Sequence, residues 1–309
     1  MLLVALALFA GSLALSPAVG FSVFPKSEKP MFLVNVETPV GTNLATTERV
    51  ARHVEEVLRH TRDLKNVTTN VGRGNPRIFY NEIPRNEAEN YAQFFVQTVD
   101  MSTKEKAVLI DELREKLSGS PGAKIEVKNF EQGPPLEAPL AYRIFGENLD
   151  TLRAVAGRIE NLLAKTEGTM YVDNPLKVQP TDLRVVLNKQ KAGLVGVSVA
   201  EVDRLVRLGI AGLNVGTYRD DEGDDHAINV SVAREGRIPA YDVFSKIFVN
   251  NAQGTALPLT QLADVRFESS PNQIRHYDKA RYVTVSAFVR TGYNVQKVNE
   301  GFEKKLAEF

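Results

Sequence analysis

Four stretches of this 309-residue chain share one order: a short alternating apolar run, then apolar residues at helical spacing, and in three of the four another short run. A chain whose hydrophobic period switches repeatedly between about 2 and 3.6 must build strands with helices on one sheet face, so this pattern constrains the fold most. In the first unit Phe32, Val34 and Val36 alternate, a turn at 39–41 follows, Val50, Val54, Val57 and Leu58 recur as a helix, and 67–71 is again a strand. The second runs from a strand at 94–99 through Ala107, Ile110, Leu113 and Leu117 to Ile125 and Val127. The third opens at 142–145, carries Leu152, Val155, Ile159 and Leu162 on a helix, and closes at 170–172. The fourth pairs Val283, Val285, Ala287 and Val289 with a helix bearing Val295, Val298, Phe302 and Leu306. No strand follows that helix, which leaves a sheet edge uncovered and makes the chain read as truncated.

Two strand–helix–strand units make one ferredoxin-like sandwich. The expected fold class is therefore α+β, with a first sandwich over 25–135 and a second assembled from 136–180 and 268–309. The segment 181–267 is an insertion with its own texture. A strand at 183–187 leads to a helix with Val202, Leu205 and Val206, and Gly209, Gly212 and Gly216 punctuate the exit. Next comes a polar tip, Tyr218-Arg219-Asp220-Asp221-Glu222-Gly223-Asp224-Asp225-His226, and an alternating strand with Ile228, Val230 and Val232 returns from it, the signature of a β-hairpin.

Ahead of all this, residues 1–24 carry no charge. At ~1.5 Å per residue such a helix spans the ~30 Å hydrocarbon core of a bilayer. A cleaved signal peptide is the alternative, with Ala14 and Ala18 near a cleavage position, but such a peptide wants a basic n-region and a short apolar core. Here the first basic residues, Lys26 and Lys29, lie after the run. The expectation is a retained membrane helix with the remainder exported. Lys+Arg and Asp+Glu both number 38, so charge gives no reason to expect nucleic acid. With no cysteine, disulfides, thiolate nucleophiles and Cys-ligated zinc are excluded.

Several segments, in this order, resemble the second half of resistance–nodulation–division efflux transporters of the hydrophobe/amphiphile type. An apolar helix runs into Phe24-Pro25 and a strand. Thr38-Pro39-Val40-Gly41-Thr42 is similar to the proline–glycine turn before the first porter helix, and Val71-Gly72-Arg73-Gly74-Asn75-Pro76-Arg77 to the glycine-rich loop that follows. Gly133-Pro134-Pro135 with Phe145-Gly146 fits the crossing into the second porter subdomain. Asn188-Lys189-Gln190-Lys191-Ala192 with Gly196-Val197-Ser198 resembles the start of the docking subdomain, and Leu257-Pro258-Leu259 with Leu262-Ala263 its end. The resemblance implies a homotrimer in the bacterial inner membrane with most of this chain in the periplasm. It also implies proton-driven export of amphiphilic small molecules and partnership with a periplasmic adaptor, an outer-membrane channel and the lipid bilayer. No cofactor or metal is implied. The proton-carrying acids of such pumps sit on other membrane helices.

No catalytic set emerges from the residues. His53 and His60 lie two turns apart on a helix, not at metal-ligand spacing, and read as surface groups; Asp220, Asp221, Asp224 and Asp225 lack the spacing of a calcium loop and read as a solvated tip. Gly72, Arg73, Gly74 and Arg77 lack the lysine and following helix of a phosphate loop. They form either a flexible connection or a mobile gate beside a substrate path, with Phe79 as apolar wall. Ile125, Val127 and Phe130 are a second candidate wall, against the alternative that they are core; strand alternation puts Lys124, Glu126 and Lys128 on the opposite face. Asp173 and Arg275 fall where the resemblance places the facing subdomain. The hairpin tip, with Tyr218, Arg219, Asp220, Asp221, Glu222, Asp224 and Asp225, is expected to mediate assembly. Met1, Met31, Met101 and Met170 are scattered, unlike the clustered thioethers that soft metal ions want. Competing readings are a membrane-anchored periplasmic binding or assembly module and an exported enzyme.

Overall fold

The computed structural model describes residues 1–2, 4–6, 8–9, 11–12, 26–135, 137–232, 241–271 and 273–308. The membrane helix expected over 1–24 falls largely outside the described residues. Among those described, no helix is long and apolar enough to cross a membrane. The chain divides into two units, Met1–Pro180 with Pro271–Phe309, and Thr181–Ser270.

The first unit opens with β1 (Met31–Glu37), α1 (Leu44–Arg59), β2 (Leu64–Val71), β3 (Tyr91–Thr98), α2 (Thr103–Leu117) and β4 (Lys124–Asn129). The strands form one sheet in the order β2-β3-β1-β4, with every neighbouring pair antiparallel. Alternation turns Phe32, Val34 and Val36 toward the helices, where they meet Val54 and Leu58 of α1 and Ile110, Leu113 and Leu117 of α2 in one buried cluster. Local chemistry fixes where the helices start. The Asn43 side chain accepts from the Thr46 N–H, and Ser102 and Glu105 form a reciprocal capping box.

The sheet's other face is covered by the chain itself. Residues 72–90, between β2 and β3, lie across it as a strap. The Gly72 N–H donates to the Tyr91 carbonyl at 2.8 Å, Gly74 N–H to Arg85 at 3.0 Å, and Ala88 N–H to Gly72 at 2.8 Å. Beneath it the Tyr91 hydroxyl and the Gln93 amide both donate to Asn35, and the Asn75 N–H donates to Gln93. Further along, Phe79 and Phe130 pack with Leu33 in a second small cluster.

β5 (Leu140–Phe145), α3 (Leu149–Ala164) and β6 (Thr169–Asp173) follow. The second unit then runs through β7 (Thr181–Leu187), α4 (Lys189–Leu194), α5 (Val199–Ile210), β8 (Leu213–Arg219), β9 (Asp225–Val230), a 3-10 turn (Tyr241–Lys246), β10 (Phe248–Asn250), β11 (Ala256–Pro258), α6 (Leu259–Leu262) and β12 (Ala263–Ser269). Its core gathers Val202, Phe244, Ile247, Val249, Leu259 and Leu262. β7 pairs with β12 along its whole length, and β8 pairs with β9 as a hairpin exposed on both faces.

The chain returns to the first unit as β13 (Arg275–Tyr277), β14 (Ala280–Val289) and α7 (Val295–Ala307). Asp278 and Lys279 both take positive φ in the two-residue turn between these strands, as a tight hairpin of this twist requires. β14 is the centre of the second sheet. β5 pairs along one edge; β13 and β6 share the other, with a register shift between Ser286 and Phe288. Its helix-facing residues Val283, Val285 and Ala287 pack on Leu152, Ile159 and Leu163 of α3 and on Phe302 of α7. The outer edge of β5 has no strand partner among the described residues.

Candidate functional site

Within the first unit the two sandwiches meet along a cleft that holds two cavities. One, of about 420 Å³, is lined by Lys26, Arg114 and Lys128 among its cations and by Met170, Tyr171 and Phe288 among its apolar groups. The other, of about 540 Å³, mixes Pro39, Val40, Ile274 and Tyr282 with Lys124 and Asp173. Polar contacts bridge the cleft between them. Lys124 Nζ sits 2.8 Å from an Asp173 carboxylate oxygen and 2.9 Å from Glu126. Burial works against the Lys124 charge, but Glu126 and Asp173 outweigh it and hold the ammonium above its ordinary value. The Val127 N–H donates to the Tyr171 hydroxyl at 3.0 Å, and Arg114 Nε donates to the Val127 carbonyl at 3.0 Å. Arg114 also donates to Thr291 at 3.2 Å, and Thr291 in turn to Asp111 at 3.0 Å. Lys128 lies 5.0 Å from the Phe288 ring centroid, within cation–π range. Burial is the largest influence on the Tyr171 phenol and raises it above its ordinary value, so the hydroxyl stays protonated and neutral.

The structure redistributes the residues expected from sequence. Asp173 and Arg275 do line the cleft, where Arg275 pairs with Glu137 at 3.2 Å. The expected apolar walls do not. Val127 is 0% exposed and Phe130 1%, and Phe79 stacks 4.7 Å from Phe130. Ile125 packs against the same helix-side core as Val127. The reason is the sheet's handedness of faces: alternation puts Val127 against α1 and α2, so β4 presents Lys124 and Lys128 to the cleft instead. Arg73 and Gly74 line a separate surface depression with Asn70 and Arg85, and only the later strap residues Asn81, Glu82 and Ile83 reach the cleft. Gly72 has a φ of +85°, and a Cβ on Gly74 would come 2.8 Å from the Arg85 backbone nitrogen, so both glycines serve the strap's close docking.

Sequence reasoning missed Arg114, Tyr171, Phe288 and Thr291, which carry no motif. At the hairpin tip, Arg219 pairs with Asp225 at 2.8 Å, while Asp220 accepts from the Glu222 and Asp224 N–H groups and faces His226 at 2.6 Å. Tyr218 and Asp221 stand exposed beside them. The contact with His226, then the backbone N–H groups, hold the Asp220 carboxyl below its ordinary range.

A family model described as the AcrB/AcrD/AcrF family matches residues 1–308. "Multidrug resistance protein MdtC" of Klebsiella pneumoniae subsp. pneumoniae is 20% identical over 96% of this chain, and "Cation efflux system protein CzcA" of Alcaligenes sp. is 22% identical over 90%. The crystal structure of a heavy metal efflux pump superposes on 99% of the chain with a TM-score of 0.80 at 19% identity, which shows a shared fold. The chain spans 29% of the MdtC relative, 27% of the CzcA relative and 32% of the solved pump chain. The class is that of resistance–nodulation–division efflux transporters, whose members are transporters and not enzymes. Within it, the chain belongs to the AcrB/AcrD/AcrF family.

Proposed function

We propose that this chain forms the periplasmic porter and docking regions of a proton-driven, homotrimeric inner-membrane pump that exports amphiphilic organic compounds through a periplasmic adaptor and an outer-membrane channel. In this reading, 25–135 and 136–180 with 268–309 are two ferredoxin-like porter subdomains, 181–267 is the docking subdomain, and 1–24 enters the bilayer. The carrying observation is the lining of the cleft. Rings, prolines and aliphatic side chains stand beside charges of both signs, as a site tolerant of varied amphiphiles needs. One relative's name specifies cations and another's multiple drugs. The drug reading is favoured because Lys26, Arg114 and Lys128 around one cavity offset the charges of Glu82, Glu131 and Glu137, and among the described residues no histidine or cysteine lines either cavity to hold a transition-metal ion. In cells stripped of other exporters, the complete transporter carrying this chain is expected to raise tolerance to amphiphilic dyes and detergents several-fold and to leave zinc and cobalt tolerance unchanged. The opposite pattern would assign it to metal ions; no effect on either would favour an anchored module without transport.

The β8–β9 hairpin is read as the assembly element. A two-stranded ribbon exposed on both faces is marginal alone in water, and Val215, Tyr218, Ile228 and Val230 all stand exposed on it. Shortening 220–225 to a two-residue turn should weaken cross-linking to neighbouring subunits or to the partner channel. Undiminished cross-linking at matched protein levels would remove the hairpin from the interface.

A further inference from the structure

The two cavities are cut apart by contacts at one level of the cleft, among them the hydrogen bond between Val127 and Tyr171. β4 contributes Lys124 to the larger cavity and Lys128 and Asn129 to the smaller. β6 gives Asp173 to the larger and Met170 and Tyr171 to the smaller; β14 gives Thr284 to the larger and Phe288 to the smaller. On all three strands the divide falls at the same level, where the Val127 N–H meets the Tyr171 hydroxyl. β4 is the edge strand of its sheet, so this N–H has no strand partner, and the phenol substitutes for one.

Tyr171 also has an unusual backbone. Its φ is +49°, the left-handed region that costs a bulky residue of order 1–3 kcal/mol and persists only where the surroundings impose it. It lies in β6, beside the register shift between Ser286 and Phe288 on β14. The Arg114 guanidinium lies 6.0 Å from the Tyr171 ring centroid, and the Phe288 ring meets it in a T-shaped arrangement with centroids 6.3 Å apart. Strain, a register shift and a bridging hydrogen bond thus coincide at Tyr171, on the smaller cavity's side of the divide.

We propose that Tyr171 is a gate inside the cleft: with its hydroxyl on Val127 the two cavities are separate, and with the ring swung away they join into one passage wide enough for bulkier compounds. This rests on the reading that the cleft carries substrate. Leaving the left-handed conformation relieves strain that offsets part of the cost of the lost hydrogen bond. Lys124 and Asp173 brace the same level from the larger cavity.

The test uses the complete transporter in a cysteine-free form; this chain contributes no cysteine of its own. Tyr171→Phe keeps the ring and removes the hydroxyl. It is expected to shift export toward bulky over small compounds by about two- to tenfold, the population change one lost hydrogen bond commands. Tyr171→Gly, which accepts positive φ freely, should shift it at least as far. A general structural role would lower export of all sizes together, and that result, or an unchanged size ratio in both variants at matched expression, overturns the gate. Single thiols at Ile83→Cys and Ile274→Cys, one beside each cavity, separate the two ideas. If bulky maleimides at both sites leave export intact, the cleft is not the path and the gate falls with it. If the labels block export while Tyr171→Phe keeps the wild-type ratio, the gate alone is wrong.

Discussion

Phe302→Ala is expected to destabilise the second sandwich by about 3–5 kcal/mol, the range for emptying a buried aromatic site. The side chain is 0% exposed and sits at the junction of three elements. Its ring lies 4.4 Å from that of Tyr142 on β5, and it belongs to the cluster that also holds Leu163 of α3 and Val285 of β14. Because β5 has no strand on its outer edge among the described residues, helix packing carries much of its attachment, and little can close around the void. Hydrogen exchange should report it locally: amides of β5, α3 and β14 exchange roughly two to three and a half orders of magnitude faster by the ~1.4 kcal/mol-per-decade conversion, while those of β1 and β3 keep their protection. Uniform acceleration across both sandwiches would show that they unfold as one body.

The second large effect is expected at the strap. Replacing Gly72 and Gly74 together by proline removes two N–H groups that donate to Tyr91 and Arg85. It also demands a φ near −65° where Gly72 stands at +85°, and places ring atoms where a Cβ would already lie 2.8 Å from the Arg85 nitrogen. The combined cost to strap docking is about 2–4 kcal/mol. Trypsin should then cut at Arg77 and Arg85 far faster than in the parent, and Leu33 and Tyr91 should lose their cover. Export of bulky compounds should fall while protein levels hold, since Asn81, Glu82 and Ile83 would no longer be held at the smaller cavity. Parent-like proteolysis would show that the strap does not depend on the glycines. Normal resistance despite faster cleavage would separate the strap from export.

What the sequence determined was local and periodic. Alternation at Phe32, Val34 and Val36 fixed a half-buried strand, because successive side chains of a strand must point to opposite faces. The helical spacing of Val54 and Leu58, and of Leu152 and Ile159, fixed two amphipathic helices whose apolar faces are buried. The helical spacing of Ala107, Ile110, Leu113 and Leu117 fixed a third helix, three of these four being buried. The acid- and glycine-rich tip after Tyr218 fixed a hairpin. Asp173 and Arg275 were legible only through resemblance.

Tertiary structure alone decided which side of each element matters. Period 2 sorts Ile125 and Val127 from Lys124 and Lys128 but does not say that a cleft lies beside the lysines; the apolar set packs on α1 and α2, and β4's place at the sheet edge puts the other face beside the second sandwich. The glycine-rich loop read equally well as a flexible connection, and hydrogen bonds to Arg85 and Tyr91 made it a strap. The contacts across the cleft are more distant still. Val127 and Tyr171 are 44 positions apart, and Asp111 and Thr291 are 180 apart, with the whole second unit between them in sequence. No spacing rule relates such residues. They meet because two sheets, each specified by its own local periodicity, come together along the cleft, where Tyr171 is held in a left-handed conformation its own backbone does not prefer.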